Sequence, residues 1–376
     1  MRVLHVITGL HAGGAEQQLA SLLEHTRHDA EVVTMYSAGI MADRIRAHGV
    51  AVHNLDRPGQ RDLRAVTDLV ALLRRGRYDV VHTHLYRACL YGRVAARIAG
   101  VPTVVATEHS LGDTQIEGRP TTWPVRRLYL ATERLGDHTI AVSAAARRRL
   151  VGWGVPEHRI SVIPNGLDIS RYRFDQGVRR QERAALGITD GEVVIGAVGR
   201  LHPIKRLDWL LTAAAALLRT TPTRLVVVGG GECDSALRFQ AAALGIDHRV
   251  DFLGERGDVP SLLSALDVYA APSAEETFGL AVIEALCAGL PAVVGACPAI
   301  DDLVLAGVAR VTDPVSLEES LTRMVQAVHD GPFRPRTPPH AVVARMDIGQ
   351  VAEHVDNLYQ DIGTSGRVSG ESSATT

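Results

Sequence analysis

The sequence predicts an α/β protein made of two similar domains in tandem, each built on a parallel β-sheet. Three observations predict it. The chain has 376 residues, more than one hydrophobic core usually organises. Short, nearly unbroken apolar strands alternate with helical patterns, as expected for strands covered on both faces. The pattern also stops near residue 170 and starts again near residue 191.

In order, Val3-Leu4-His5-Val6-Ile7 is a first strand that enters a Gly-rich turn and then a helix from about Ala15. Asp79-Val80-Val81 is a later strand and ends in His82-Thr83-His84. Thr103–Thr107 and Thr139–Val142 complete a first Rossmann-like domain over residues 1–170. Residues 171–190 are polar and irregular and read as a linker. Val193–Val198 opens a second Rossmann-like domain over 191–345, with a helix near Leu207–Arg219 and strands Leu225–Val228, Val268–Ala271 and Ala292–Val294. Asp313–Pro339 holds one amphipathic helix and a Pro-rich break. Residues 346–362 carry a last helix, and 363–376, mostly Ser, Thr and Gly, read as a disordered tail. Ligands of such sheets sit at the carboxyl ends of the strands, so the expected site is the cleft between the two facing domains.

Composition narrows the function. Hydrophobic content of 46% and charged content of 22% fit a soluble globular chain. A net charge of −2 gives no general attraction to nucleic acid or membrane. One stretch departs from this: Arg119–Leu150 has seven Arg against Glu133 and Asp137, so 7 − 2 = +5. Within it Trp123, Val125, Leu128, Tyr129 and Leu130 interleave with Arg126, Arg127 and Arg134. Such a helix either packs into the core with a solvated Arg face or rests weakly on an anionic membrane. Cys89, Cys233, Cys287 and Cys297 are scattered, with neither a disulfide framework nor a zinc motif. Neither a signal-type leader nor a membrane-length apolar run is evident, so a cytoplasmic protein is expected, with peripheral contact at the inner membrane face left open.

The sharpest chemical signal lies between Pro272 and Pro291. The helical pattern from Ala281 to Ala288 is apolar nearly all round, with Glu284 in its middle. A buried carboxylate is costly without partners, and a polyhydroxyl ligand supplies them. Just upstream, Glu276-Thr277-Phe278-Gly279-Leu280 sets a carboxylate and free amides at a helix N-terminus, which favours phosphate or an oxyanion. A second signal is Val198-Gly199-Arg200-Leu201 followed by Lys205: a strand end, a glycine turn and two cations suited to a diphosphate. Further glycine turns follow strands at Gly9 to Gly14, ahead of Glu16, and at Gly229-Gly230-Gly231. The first does not fit GxGxxG, which counts against a nicotinamide dehydrogenase. His82 and His84 share one strand face, but no third ligand has suitable spacing, so no metal site is expected.

These motifs resemble the family 4 retaining glycosyltransferases of the GT-B fold. The resemblance covers nearly the whole chain and is most specific in the Glu-x7-Glu block from Glu276 to Glu284. It implies two Rossmann-like domains facing across a cleft, and transfer of a sugar from a nucleotide-diphosphate sugar to an acceptor hydroxyl. The acceptor is not identified, and a lipid-linked saccharide is among the candidates. The resemblance implies that Glu276, His109, Arg200 and Lys205 are catalytic, with Arg200 and Lys205 gripping the diphosphate and His109 contacting the donor sugar. It places Gly13, Gly14, Gly230, Gly231, Leu253, Thr277, Phe278, Gly279 and Leu280 around the donor and Glu284 at its ribose. Glu16, His84 and His109 fall on the acceptor side. The nucleotide sugar is a co-substrate, and neither a cofactor nor a metal is implied. Val162-Ile163-Pro164-Asn165-Gly166 resembles the family's handover between domains, and the last helix resembles one that crosses back onto the first domain. Two departures stand out: Arg206 occupies the place of a common glycine, and Gly295–Asp302 differs from the usual donor-side loop. A nucleotide-sugar epimerase or hydrolase, a Rossmann oxidoreductase and a non-catalytic sugar-nucleotide-binding module are the competing readings.

Overall fold

The computed structural model describes residues 1–11, 13–59, 62–117, 119–331 and 336–371. The chain forms two compact units. Unit 1 is Met1–Leu167 together with the chain from Arg345 onward, and unit 2 is Asp168–Ala344.

In unit 1, β1 (Arg2–Gly9), β2 (Asp29–Ser37), β3 (Ala51–Asn54), β4 (Val80–His84), β5 (Thr103–Glu108), β6 (His138–Ala141) and β7 (Ile160–Val162) form one sheet. Its order is β3-β2-β1-β4-β5-β6-β7, with every neighbour parallel. In unit 2, β8 (Val193–Val198), β9 (Thr223–Val228), β10 (Val250–Phe252), β11 (Val268–Ala271), β12 (Ala292–Val294) and β13 (Val308–Arg310) repeat the scheme. Their order is β10-β9-β8-β11-β12-β13, again parallel. Each sheet is doubly wound, and the strand order reverses beside β1 and beside β8.

The unbroken apolar runs follow from this. Val3, Leu4, Val6, Ile7, Val80, Val81, Val104 and Val105 are all buried, because helices cover both faces. In unit 2 the helices Leu207–Thr220 and Pro314–Asp330 bring Leu210, Leu217, Leu317 and Leu321 onto Ile195, Leu225 and Val268. Each such side chain contributes about 1.5–3 kcal/mol by burial. The sequence reading omitted β2, β3, β7, β10 and β13. Most are short or lie toward the sheet edges, where polar residues break the apolar pattern.

Two sequence expectations need correction. Residues 171–190 are not a bare linker, because they contain the helix Gln176–Ala185, started by the Asp175 side chain accepting from the Val178 amide. Its buried face is cationic rather than apolar, so no hydrophobic stripe reveals it. Arg179 and Arg183 reach Asp267 at 2.7 and 3.0 Å and cap the carbonyls of Ala265 and its neighbours. Arg336 joins the same carboxylate at 3.3 Å, and Asp267 also accepts from the Val194 amide. The second correction is at the C-terminus. The last helix spans Ile348–Glu371, past the expected end at 362. Within it Thr364 folds its hydroxyl onto the Gln360 and Asp361 carbonyls. The rest of the expected tail lies outside the described residues. Val351, Ala352, Val355 and Tyr359 of this helix pack with Val3, Val80, Val105 and Ile140 of unit 1. Among the described residues no helix is long and apolar enough to cross a membrane.

The Asp267 cluster yields a stability test. Asp267→Ala leaves three guanidinium groups in a buried site without their counter-charge, which should cost about 3–5 kcal/mol in chemical denaturation of unit 2. A loss below about 1 kcal/mol would mean the cluster behaves as a solvated surface network.

Candidate active site

In unit 2 the chemistry collects where the strand order reverses. β8 ends at Val198, and Arg200 is exposed immediately after the turn, with no ion pair to a described residue. The loops leaving β8, β9 and β10 are tied backbone to backbone. Gly229 donates to the Gly254 carbonyl at 2.7 Å, Leu201 to Gly230 at 2.8 Å and Leu253 to Val227 at 2.9 Å. Gly229 must be glycine: its φ is +135°, and a Cβ would sit 1.9 Å from the Gly199 carbonyl oxygen. The loop after β11 joins this set through Ala274, which donates to Ile204 at 2.8 Å. That link sets Lys205 against Glu276, Nζ to Oε1 at 2.5 Å, with side chains 26% and 18% exposed. The structure thus brings together the cation and carboxylate that the sequence assigned to one ligand.

Glu284 lies on the helix Leu280–Cys287, whose Val282, Ile283, Ala285, Leu286 and Cys287 are buried. Gly279 caps the helix at φ +99°, and a Cβ there would lie 2.5 Å from Cys297 Sγ. Cys297 therefore fills the space the glycine leaves, and Ala299 donates to the Phe278 carbonyl at 3.0 Å. The unusual Gly295–Asp302 loop is thus the support under the Glu276–Glu284 block. The Leu280 and Ala281 amides have no intrahelical acceptors at this end. Glu284 itself is half-buried and accepts from the Tyr172 hydroxyl at 3.1 Å. Burial pushes its carboxyl up to about 7, against the opposing Tyr172 hydrogen bond. Tyr172 lies in the stretch read as a linker, and nothing in the sequence marks it.

In unit 1 the turn after β1 leads to the helix Gly14–Leu23. Glu16 folds its carboxylate back over the helix start, where a Cβ on Gly13 would meet Glu16 Oε2 at 2.3 Å. Gly13 has an ordinary φ of −87°, and a side chain there would displace the Glu16 carboxylate from this position. Burial holds the Glu16 carboxyl up at about 7.

Histidines dominate the other side of this reversal. β1 and β4 pair so that His5 lies opposite His82, and Ile7 opposite His84. His5 Nδ1 contacts His84 Nε2 at 3.0 Å, and His84 Nδ1 contacts His109 Nε2 at 3.1 Å. Burial lowers His5 to about 3 and His109 to about 4, and holds His84 and His82 well below the ordinary imidazole range, so all four rings are neutral. His5 corrects the expectation that no third ligand accompanies His82 and His84: one ligand atom of each lies within 4.8 Å of the others. The nitrogens of His82 and His84 are already committed, however. His82 bonds the Tyr359 hydroxyl and the Thr107 hydroxyl, both at 2.6 Å, and His84 bonds the two histidines flanking it. The trio is therefore a hydrogen-bonded cluster, and His84, 2% exposed, reaches His109. The one available signal for His5 was an ionisable residue inside an apolar strand.

The basic helix resolves as Trp123–Glu133. Tyr129 is buried against Glu108, donating at 2.7 Å, and Val125 and Leu130 pack on the same cluster. Of its large apolar side chains Trp123 and Leu128 are the exposed ones, with Arg127 stacked over the Trp123 ring at 4.9 Å.

Comparison with known proteins accords with both units. A model of Glycosyltransferase Family 4 matches residues 12–171, and a model of Glycosyl transferases group 1 matches residues 178–338. The chain is 30% identical over 239 residues to the UDP-Gal:alpha-D-GlcNAc-diphosphoundecaprenol alpha-1,3-galactosyltransferase of Escherichia coli, covering 62% of each. It is 36% identical over 234 residues to the D-inositol 3-phosphate glycosyltransferase of Nocardia farcinica, covering 57% of this chain and 51% of that one. The match thus spans between half and two thirds of these relatives' own length. Among solved structures, the Anabaena protein HepE in complex with UDP-glucose is similar at a TM-score of 0.83 and 25% identity, covering 96% of this chain and 100% of that one.

The Glu284 environment sets a pH test. Its folded value of about 7 lies above the ordinary 4.5, so between the two the folded protein holds a proton that the unfolded chain releases. Its contribution to stability is therefore lost as pH rises through that window. Glu284→Gln should flatten the fall of the thermal midpoint between about pH 5 and pH 8. An unchanged pH slope would show that the carboxyl titrates as in solvent.

Proposed function

Because the chain belongs to the family 4 glycosyltransferases of the GT-B fold, the glycosyl transferases group 1, we propose that it moves a sugar from a nucleotide-diphosphate sugar to an acceptor hydroxyl. The observation that carries this reading is the Lys205–Glu276 pair at the carboxyl edge of the second sheet, beside Glu284 and an open helix N-terminus. In the free protein each charge satisfies the other. A donor replaces that contact, with the diphosphate taking Lys205 and Arg200, and the sugar taking Glu276 and the amides of Thr277 to Leu280. Glu284 holds the ribose hydroxyls, and Gly230, Gly231 and Leu253 border the base through backbone. The family relation assigns Gly13 and Gly14 to the donor, His109 to its sugar and Glu16 to the acceptor.

The acceptor oxygen bonds to the anomeric carbon as the bond from that carbon to the diphosphate oxygen breaks. The acceptor proton passes to the departing diphosphate, whose charge Arg200 and Lys205 neutralise without requiring a metal. Retention of anomeric configuration belongs to this proposal through the family relation. A uridine-diphosphate sugar is the first donor to test, since one relative is named for UDP-Gal and a similar structure holds UDP-glucose. The Escherichia coli and Nocardia farcinica relatives are named for different acceptors, so the acceptor class stays open between lipid-diphosphate-linked sugars and small phosphorylated polyols.

A panel of UDP-, GDP-, ADP- and dTDP-sugars should raise the thermal midpoint selectively for one base, by mass action. Lys205→Ala and Glu276→Ala should each lower kcat/KM by about 100-fold or more. Release of free or epimerised sugar at full rate without an acceptor would replace the transferase reading by the hydrolase or epimerase one. Flotation with anionic vesicles tests a lipid acceptor separately: binding lost in Trp123→Ala would assign the Trp123–Glu133 helix to the membrane, and no binding to wild type would remove that idea.

A further inference from the structure

Among the buried polar atoms of unit 1 without a close hydrogen bond to a described residue are Gln18 Oε1 and His109 Nδ1, the His109 ring having the Asn165 side chain as its nearest further acceptor. Both side chains line one cavity of about 20 Å³, with His84, Thr107 and Asn165 among its other walls. That volume suits a single oxygen atom, and two such polar atoms around it are costly without one. Gln18 is 7% exposed, so solvent does not reach it freely.

His109 is also the end of a row. Neutral imidazoles carry one N–H each, so the contacts His5–His84 and His84–His109 can only point both ways together. Directed away from His109, they leave its Nδ1 as a lone pair aimed into a cavity that already holds the Gln18 carbonyl. With the Asn165 side-chain oxygen, acceptors alone then face one small space. Directed toward His109, they place its proton on Nδ1, where Asn165 accepts from it, and the cavity offers a donor beside acceptors. That is the complement of an alcohol, which has one hydrogen to give and lone pairs to receive.

We propose that His5 and His84 are positioning residues that hold the proton of His109 on Nδ1, so that His109 and Gln18 together seat one hydroxyl. Water takes this place in the free protein, and a substrate hydroxyl takes it during transfer. The substrate part rests on the transferase reading. The tautomer does not.

The test uses full-length protein labelled with 15N in histidine, with long-range proton–nitrogen correlation reading which nitrogen of each ring is protonated. His109→Asn assigns its signals. The expected result is a proton on His109 Nδ1 in the wild type. His84→Ala frees His109 Nε2, mixes the two tautomers and lowers kcat/KM about tenfold. His84→Asn, whose amide sits where the Nδ1–H was, restores the single tautomer and most of the lost rate. A wild-type proton on Nε2, or an unaltered tautomer in His84→Ala, overturns the proposal. So does a change of the ring signals on adding zinc or EDTA, which would make the cluster a metal site. If no nucleotide sugar binds while the tautomer behaves as expected, the transferase reading fails and the histidine row stands. Movement of the His109 signals with a nucleotide sugar but not with its nucleoside diphosphate assigns the seated oxygen to the sugar.

Discussion

The reversal of strand order beside the first strand of each sheet is the constraint on which the rest depends. β1 and β4, and likewise β8 and β11, are neighbours whose following chains leave the carboxyl edge in opposite directions. The residues with chemistry stand at those two places: Gly13, Glu16 and His84 in unit 1, and Arg200, Lys205 and Glu276 in unit 2. Short loops at a crowded edge force backbones together, which is why Gly229 lies against Gly199 and Gly279 over Cys297.

Crowding at the edge also explains the perturbed acids and bases, but perturbation alone does not mark a site. Glu108 is pushed up to about 7 by burial, as are Glu16 and Glu284. It is nevertheless structural: the Tyr129 hydroxyl donates to it, Cys89 approaches it, and the Arg93 guanidinium lies over the Tyr129 ring. Its partners are all supplied by the fold. Glu284 accepts a single hydrogen bond from a described residue, that of Tyr172, with Arg171 acting on it through charge alone, and Glu16 accepts from the backbone at its own helix start. The distinction is saturation. A buried carboxyl with its needs met stabilises one packing arrangement, whereas one with needs left over is poised for a ligand.

What was legible in the sequence follows from how locally each feature is encoded. Glu276 and Glu284 belong to one turn and one helix, so their spacing carried the reading, and Lys205 joined them through a glycine-turn motif that also reads locally. The two parallel sheets were legible because strands covered on both faces are apolar throughout. His5 was not, since its partnership with His84 exists only through the register of β1 on β4. The helix Gln176–Ala185 was hidden because Asp267 and backbone carbonyls, rather than apolar contacts, hold its buried face. Tyr172 is brought to Glu284 from 112 residues away, a distance no local pattern spans.

The two departures from the family pattern have a common physical meaning. Arg206 stands where a glycine is common, and it adopts φ +52°, the left-handed conformation that glycine takes without strain. A side chain there costs roughly 1–2 kcal/mol. Its guanidinium lies over the Trp209 ring at 4.9 Å, a contact that returns about 0.5–1 kcal/mol. The backbone bend survives the substitution, and with it the turn Pro203–Lys205 that directs Lys205 to Glu276. Gly295–Asp302 behaves alike: its residues differ, yet Cys297 still supports Gly279 and the helix start. In both places the chain varies side chains while keeping the backbone that presents the cation, the carboxylate and the free amides. The backbone geometry that sets Lys205 against Glu276 is therefore insulated from these changes.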